Sequence, residues 1–408
     1  MRLMREILKI AGVWAVILMV FAFVLEGVLR LWNMDYNPLA EIAQKTPGRL
    51  FAPNTFLHSR SSVPGEFDYT PHMNRLGYRG PEFADPKPVG VRRVFMVGDS
   101  FTFGVGAPDD KTIPALVEEG LRRGGKAVEV VNAGIGGASP VMHYVNIRDI
   151  HLKYQPDTVV LMLDLTDLWD DWNSERHAVL GRDGDIAGFD ALAVNGRRDL
   201  WVAMTYYSML CRYINNKVVR TIRKMQVLGV GGYVKAVREG KRAKAVISAA
   251  GAGQVRGSSI EYDGLLFMRG RGKEPLIREH WARTGRYILK IRDMLARRGI
   301  PMVIVVYPHG IYVDGDQWKE GRKTWGFEPG KRYDDHLAFE IVEDFARQNN
   351  IPYVNTLAAF LRAPRAKYFF DWDGHLTDAG NRIVSDALLA DKTFLDVVAP
   401  AAGVPAER

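Results

Sequence analysis

The amino-acid sequence predicts an α/β fold, with a parallel sheet of about five strands, an N-terminal transmembrane helix and a mostly helical insertion. From Val91 onward, short apolar runs alternate with amphipathic runs of helical period, which is typical of a parallel sheet with helical crossovers. This alternation stops between about residues 175 and 273 and then resumes. Ahead of the domain, the sixteen residues from Ile10 to Leu25 carry no charge.

The composition limits the class of protein. The 408 residues are 47% apolar and 25% charged, which is ordinary for a globular chain and excludes a disordered one. The net charge of +8, from 55 basic and 47 acidic residues, is too small to indicate a nucleic-acid-binding protein. A single cysteine, Cys211, excludes an intrachain disulfide and any site built from several cysteines.

Residues 1–33 are predicted to be an uncleaved membrane anchor. The uncharged run continues past Glu26 as a mainly apolar segment to Trp32, which gives it the length of a span, and no small-x-small cleavage site follows. A buried core helix is the alternative, but the run has no polar face. Basic residues precede it: Arg2, Arg5 and Lys9. We therefore expect an inner-membrane protein with a cytoplasmic N-terminus and a periplasmic or extracellular domain.

The remaining elements follow in order. Prolines and glycines recur over residues 34–90, which indicates a stalk and wrap-around segment. The α/β domain is expected over residues 91–395, with a tail at 396–408. Five apolar runs predict its strands, at residues 94–97, 128–131, 158–163, 302–306 and 352–354. Helices are expected between them, from Thr112 as N-cap to Gly124, near 140–154, 284–298 and 334–348, and from about 377.

The insertion has two parts. Leu200 to Ile214 is rich in aromatic and apolar residues. Residues 212–244 are strongly basic, with a single acidic residue, Glu239. Such a stretch is most often a solvated helix face. Because the anchor places it near headgroups, the alternative is contact with an anionic lipid or an acidic glycan.

A hydroxyl group stands at the end of the first predicted strand. Gly98 closes that strand, and Asp99 and Ser100 follow at once. Ligands of open α/β sheets bind at the carboxyl ends of strands, so Ser100 is a candidate nucleophile. The alternative is a turn in which Asp99 and Ser100 bond only the local backbone.

Nucleophilic catalysis by serine needs a base, and His375 has a suitable companion. Asp373 lies two residues earlier, on the same side of an extended segment, so it can orient the imidazole. Two alternatives remain open. Asp371 or Thr377 could cap the final helix with His375 merely exposed, or Asp-x-Asp-x-His could bind a metal ion.

The chain resembles the SGNH, or GDSL-like, hydrolase superfamily over about residues 74–390, apart from the insertion. Gly98-Asp99-Ser100, followed by Phe101, Phe103 and Gly104, is similar to its first block, and the glycine-rich turn 132–137 is similar to its second. Asp373-Gly374-His375 resembles the Asp-x-His block of alginate O-acetyltransferase-like members, whereas many esterases have Asp-x-x-His, which would place Trp372 at the acid position. The lead-in at 74–80 is similar to that of membrane-anchored members.

The resemblance implies a flavodoxin-like three-layer α/β/α fold and acyl-ester chemistry without a cofactor. Ser100 would be the nucleophile, His375 the base and Asp373 the acid, with Asp371 in reserve. The backbone amides of Ser100 and Gly137 would bind the oxyanion. The substrate would be an acyl ester of a carbohydrate or of cell-envelope material, and no nucleic-acid partner is expected.

One block departs from the family pattern. Gly-x-Asn-Asp is usual, but the chain reads Asp164-Leu165-Thr166-Asp167. Thr166 thus replaces an oxyanion donor whose loss typically costs about 10² to 10³ in rate, unless its hydroxyl substitutes. Two hypotheses follow: a serine esterase or O-acyltransferase, and a catalytically weak glycan-binding module anchored in the membrane.

We predict that residues 1 to about 32 stay attached to the mature protein, because the apolar run is long enough to span and lacks a cleavage site. Intact-mass analysis of the membrane fraction should give the full chain. A mature protein that begins after Trp32 would contradict the anchor.

Overall fold

The computed structural model describes residues 2–32, 50–51, 53–61, 63, 65–176, 178–189, 208–214 and 266–400. Most of the predicted insertion, including its basic residues from Lys217 onward, lies outside these ranges. Residues 34–49 of the predicted stalk and 401–408 of the predicted tail lie outside them as well. The described part contains the predicted anchor, the wrap-around segment from Leu50 onward and the α/β domain.

The segment predicted to be an anchor is one helix, Arg2–Trp32. Its segment Gly12–Leu31 has a mean hydropathy of 2.4, and no residue of it is buried against the rest of the described chain. This helix is therefore long and apolar enough to cross a membrane. Near its end, Glu26 accepts hydrogen bonds from Ser208 Oγ (2.9 Å) and the Leu210 amide (2.8 Å), so the short helix Met209–Ile214 packs beside the anchor.

Five parallel strands form the central sheet: β1 (Arg92–Gly98), β2 (Val128–Gly134), β3 (Thr158–Leu163), β4 (Met302–Val306) and β5 (Tyr353–Asn355). Their spatial order is β5-β4-β3-β1-β2. This order is that of flavodoxin-like sheets, whose strand order reverses between β1 and β3. The sequence prediction of the fold is confirmed.

Helices cover the sheet in two packed groups. Every residue of β3 and β4 is buried, which requires cover on both faces. One group joins Ile113–Arg123 to Asp378–Ala390, and the other joins Pro140–Asp149 and Asp167–Glu175 to Glu274–Ala296. Further helices are Ser100–Phe103, Leu266–Arg269, Gly310–Val313, Leu337–Gln348, Leu357–Arg362 and Lys392–Val398, with 3-10 turns at Asp109–Lys111, His151–Tyr154 and Gly321–Trp325. A hairpin, Ala178–Leu180 with Ile186–Phe189, follows the Asp167–Glu175 helix.

Local sequence signals explain several element ends. Thr112 caps the Ile113–Arg123 helix, since its side chain accepts from the Ala115 amide, as its position before Pro114 predicts. The Glu274–Ala296 helix begins ten residues before the predicted start near 284. Pro275 lies in its first turn, and Ile277 and Trp281 are buried, so the packed helix starts directly after the predicted end of the insertion at about residue 273.

The described residues between 50 and 90, which we call the strap, wrap over the domain. Two small antiparallel pairs give it shape: Thr55–Phe56 with His72–Met73, and Ser59–Arg60 with Asp68–Tyr69. Arg79 is fully buried and donates to the Phe103 (2.8 Å), Gly104 (2.7 Å) and Ala107 (2.5 Å) carbonyls and to Asp109 (2.8 Å). The strap therefore holds the loop that follows β1.

We predict that Arg79→Met lowers the free energy of unfolding by about 3 kcal/mol, because it leaves a carboxylate and three carbonyl groups without their donor. Arg75→Met is the matched control. Arg75 is half exposed and pairs with Glu82 at 3.3 Å, so its loss should cost less than about 1 kcal/mol. Denaturant unfolding of the detergent-solubilised chain measures both, and equal losses would contradict the bracing role of Arg79.

Candidate active site

Ser100 opens a short helix directly after β1. Asp99 caps that helix, accepting a hydrogen bond from the Phe101 amide at 2.9 Å. The helix lies so close to the end of β2 that a Cβ on Gly134 would sit 2.1 Å from the Phe103 nitrogen. Only glycine allows this approach. The tight turn fixes the Ser100 side chain at the carboxyl edge of the sheet.

The structure brings Ser100, His375 and Asp373 into one hydrogen-bonded chain. His375 Nε2 lies 2.7 Å from Ser100 Oγ. On the other side of the ring, His375 Nδ1 bonds Asp373 Oδ1, which also accepts the His375 amide at 3.2 Å. The carboxylate therefore holds the ring so that Nε2 faces the hydroxyl, the geometry of a nucleophile, a base and an orienting group.

Charge at the site tunes the base. Burial opposes the imidazolium form, but the charge and hydrogen bond of Asp373, with further attraction from Asp99 and Asp164, raise the pKa of His375 above the ordinary histidine value. Burial would raise the pKa of Asp373, but the His375 ring lowers it instead. Asp373 is thus ionised when His375 has to accept a proton.

The loop before the last helix is fixed from several sides. Asp371 Oδ2 accepts a hydrogen bond from Lys367 Nζ at 2.7 Å, and Thr377 caps the Asp378–Ala390 helix through the Gly380 amide. Glu66 of the strap accepts from the Trp372 (2.6 Å) and Asp373 (3.2 Å) amides. Helix capping and the His375–Asp373 pair therefore coexist. Within the described ranges, no three His, Cys, Asp or Glu side chains group as a metal site.

The glycine-rich turn after β2 lies beside the nucleophile. The Ile135 amide donates to the Gly98 carbonyl at 3.0 Å, and a Cβ on Gly136 would be 3.9 Å from Ser100 Cβ. Gly137 has φ +70°, in the left-handed region. Among the described residues, its amide donates to no acceptor. The Ser100 amide, at the first position of its helix, has no acceptor in that helix either, so both amides are available to an anion.

Thr166 follows β3, the neighbour of β1. Its hydroxyl donates to Asp164 Oδ2 at 2.6 Å and lies 3.4 Å from Asp170 Oδ2. The other Asp164 oxygen bonds His309 Nε2 at 2.6 Å. The hydroxyl that stands in place of the family asparagine is thus bound to a carboxylate.

Three residues of this site had no role in the sequence analysis: Asp164, His309 and Tyr307. The Tyr307 hydroxyl donates to Asp99 Oδ1 at 2.8 Å, and His309 bonds Asp164. Each follows the end of a central strand. The rule that singled out Ser100, a polar residue after a buried strand, would also have found them.

Several carboxylates cluster behind Ser100. Burial, then the charge of Asp164, raise the pKa of Asp99 to about 6. Burial and repulsion by Asp164 raise the pKa of Asp170 well above its usual range. Burial would also raise the pKa of Asp164, but His309 and Thr166 lower it. Asp164 therefore stays ionised at a lower pH than Asp99 and Asp170 do.

Comparison with known proteins gives one family. Residues 96–383, more than half of the chain, match the model of the GDSL-like Lipase/Acylhydrolase family. Similar solved structures include an acetyl xylan esterase (16% identity, TM-score 0.35, covering 72% of this chain and 97% of that one). An acetylxylan esterase from Geobacillus stearothermophilus shares 13% identity at TM-score 0.34, covering 78% and 96%. A family 3 carbohydrate esterase from Clostridium thermocellum shares 12% at 0.31, covering 73% and 92%. No curated protein matches significantly.

We predict that His375 titrates above the ordinary histidine pKa of about 6.5 and that Asp373→Asn lowers this pKa. The carboxylate favours the imidazolium, so its removal favours the neutral ring. Asp371→Asn is the control, because Asp371 pairs with Lys367, and it should leave the pKa nearly unchanged. Imidazole NMR signals followed against pH measure all three proteins, and equal shifts for the two variants would contradict the assignment.

Proposed function

The chain belongs to the GDSL-like lipase/acylhydrolase family, and on this premise we propose that it is a serine hydrolase of acyl esters that works through Ser100, His375 and Asp373. The observation that carries the proposal is the 2.7 Å contact between Ser100 Oγ and His375 Nε2. The bond between His375 Nδ1 and Asp373 supports it, because it leaves Nε2 free to take the serine proton.

The proposed reaction has two halves. Ser100 Oγ attacks the ester carbonyl carbon while His375 Nε2 takes its proton, and the carbonyl oxygen becomes an oxyanion. The intermediate collapses, the C–O bond to the alcohol breaks, and His375 returns the proton to the leaving oxygen. The hydroxyl group of an acceptor molecule then attacks the acyl-serine, with His375 again taking and returning the proton, and Ser100 is released. Water as this acceptor gives hydrolysis, and a sugar hydroxyl gives acyl transfer.

The oxyanion would be held by backbone amides. Those of Ser100 and Gly137 are the proposed donors, and the absence of an acceptor for the Gly137 amide among the described residues supports the role. Thr166 is the third candidate. Asp373 is proposed to orient His375 and to stabilise the imidazolium that forms during attack.

The proposed substrate is an acyl ester of a carbohydrate or of cell-envelope material. The Asp-x-His spacing of Asp373 and His375 supports it, through the resemblance to alginate O-acetyltransferase-like members. Membrane attachment suits such a substrate. The apolar helix and the basic residues before it support a single-pass inner-membrane protein with the domain in the periplasm or outside the cell.

Contact of residues 212–244 with an anionic lipid or an acidic glycan remains part of the proposal. The hydrogen bonds from Ser208 and Leu210 to Glu26 support it, because through them the helix Met209–Ile214, in which this region begins, contacts the N-terminal apolar helix. A basic residue contributes about 1 kcal/mol to binding where it lies near an anionic surface.

A glycan-binding module with weak catalysis is the second candidate. Thr166 favours it, because its hydroxyl already donates to Asp164. Turnover decides between the two, since a binding module would retain its ligand without consuming it.

We predict that a fluorophosphonate probe labels the wild-type chain and not Ser100→Ala, and that the wild type hydrolyses p-nitrophenyl acetate. Asp373→Ala should lower kcat by roughly 10³ to 10⁴, and His375→Ala about as much as Ser100→Ala, because the three act as a unit. Asp371→Ala, the matched control, should stay within about threefold of the wild type.

The pH profile gives an independent check of the same assignment. Activity should fall as the pH drops through the raised pKa of His375, because the protonated ring cannot accept the serine proton. A wild type that binds acylated glycan but neither reacts with the probe nor turns over would favour the binding module.

A further inference from the structure

The block Asp164-Leu165-Thr166 differs from the family pattern at two positions, and the structure connects them. Thr166 stands where the pattern has asparagine, and Asp164 stands where it has glycine. The hydroxyl of the first donates to the carboxylate of the second at 2.6 Å. The two departures therefore form one hydrogen-bonded unit at the end of β3.

His309 completes this unit from the next strand. It follows β4, is buried, and its Nε2 lies 2.6 Å from Asp164 Oδ1. Its ring centroid is 5.3 Å from that of Phe101, and the Phe101 ring is 4.8 Å from the His375 ring. A second imidazole–carboxylate pair thus lies one aromatic ring away from the first.

An ionised Asp164 poses an electrostatic problem for the reaction. Its charge reaches His375 across the site, so it would also repel a nearby oxyanion. The family pattern has no carboxylate at this position, and its asparagine donates directly. Here the carboxylate must be compensated, and a donor must still be presented to the oxygen.

We propose that His309 is a positioning residue which, by holding and compensating Asp164, lets the Thr166 hydroxyl serve as the third oxyanion donor. This inference rests on the proposed function. In the resting site the hydroxyl bonds Asp164. When the oxyanion forms, the hydroxyl rotates to it, and His309 keeps its bond to the other oxygen of Asp164.

In this arrangement the effect of His309 on the rate depends on Asp164 and Thr166. A histidine with a merely structural role would not show this dependence. His309 matters only while Asp164 and Thr166 are present. If Asp164→Gly and Thr166→Asn restore the family block, the asparagine amide donates by itself, and no carboxylate is left for His309 to hold.

The experiment is a double-mutant cycle on the full chain with p-nitrophenyl acetate. In the wild-type background His309→Ala should lower kcat at least tenfold with KM within about twofold, because only transition-state stabilisation is lost. In the Asp164→Gly/Thr166→Asn background the same substitution should cost less than about threefold. His309→Gln, whose amide can still donate to Asp164, should recover part of the loss in the wild-type background.

His336→Ala is the matched control. His336 is a half-buried histidine at the start of the Leu337–Gln348 helix, as His309 is at the start of Gly310–Val313, and it packs on Tyr312 and Phe339. It should change kcat less than twofold in both backgrounds. Near-UV circular dichroism and thermal melting show that each variant is folded, and His309→Gln provides the result if His309→Ala does not fold.

Equal losses of kcat in the two backgrounds would overturn the inference, and so would a wild type that is unaffected by His309→Ala. If the wild type is inert and the Asp164→Gly/Thr166→Asn chain is active, the inference fails while the proposed function stands. The native block would then not supply a donor. If neither chain reacts with the fluorophosphonate probe or turns over, the proposed function fails, and this inference fails with it.

Discussion

The hydrogen bond between Ser100 and His375 joins residues that are 275 positions apart in the chain. No local segment can make this contact, so it forms only when the first strand and the loop before the last long helix reach the same edge of the sheet. The parallel arrangement makes that possible, because all five strands end at one edge. The strap then fixes both partners, through Arg79 at the loop after Ser100 and through Glu66 at the loop that carries His375.

The same convergence has an electrostatic cost. Polar residues that follow neighbouring strands are brought together, and in this chain four of them are aspartates: Asp99, Asp164, Asp167 and Asp170. Buried carboxylates close to one another cannot all stay ionised. Tyr307 donates to Asp99, His309 pairs with Asp164, and the pKa of Asp167 rises through burial and the charge of Asp164. Asp164 and Asp373 each lie beside an imidazole, which lowers the pKa of the carboxyl group.

The sequence predicted the architecture well, because the evidence for it is local. Apolar runs gave all five strands to within a few residues, and Thr112 marked a helix start through its own cap. The pairing of Asp164 with His309 spans 145 positions, and no local pattern encodes which carboxylate a distant ring will meet. The end of the first strand and the spacing of Asp373 and His375 gave Ser100, Asp373 and His375 as candidates, and the resemblance gave each a role. It could not supply Asp164 as a partner of Thr166, because the family pattern has glycine there.

The strap also sets how this protein divides into exchangeable parts. Judged by its sheet, the domain begins at Arg92, and a chain cut there would keep all five strands of the central sheet and the three residues of the hydrogen-bonded chain. It would lose Arg79 and Glu66, and with them the ties to both loops. The unit that can be moved as a whole therefore starts no later than Phe51, which is buried and stacks on Phe103 of the short helix after β1. Recombination at Arg92 would transfer the central sheet without the strap, whose Arg79 and Glu66 hold the two loops that carry the site.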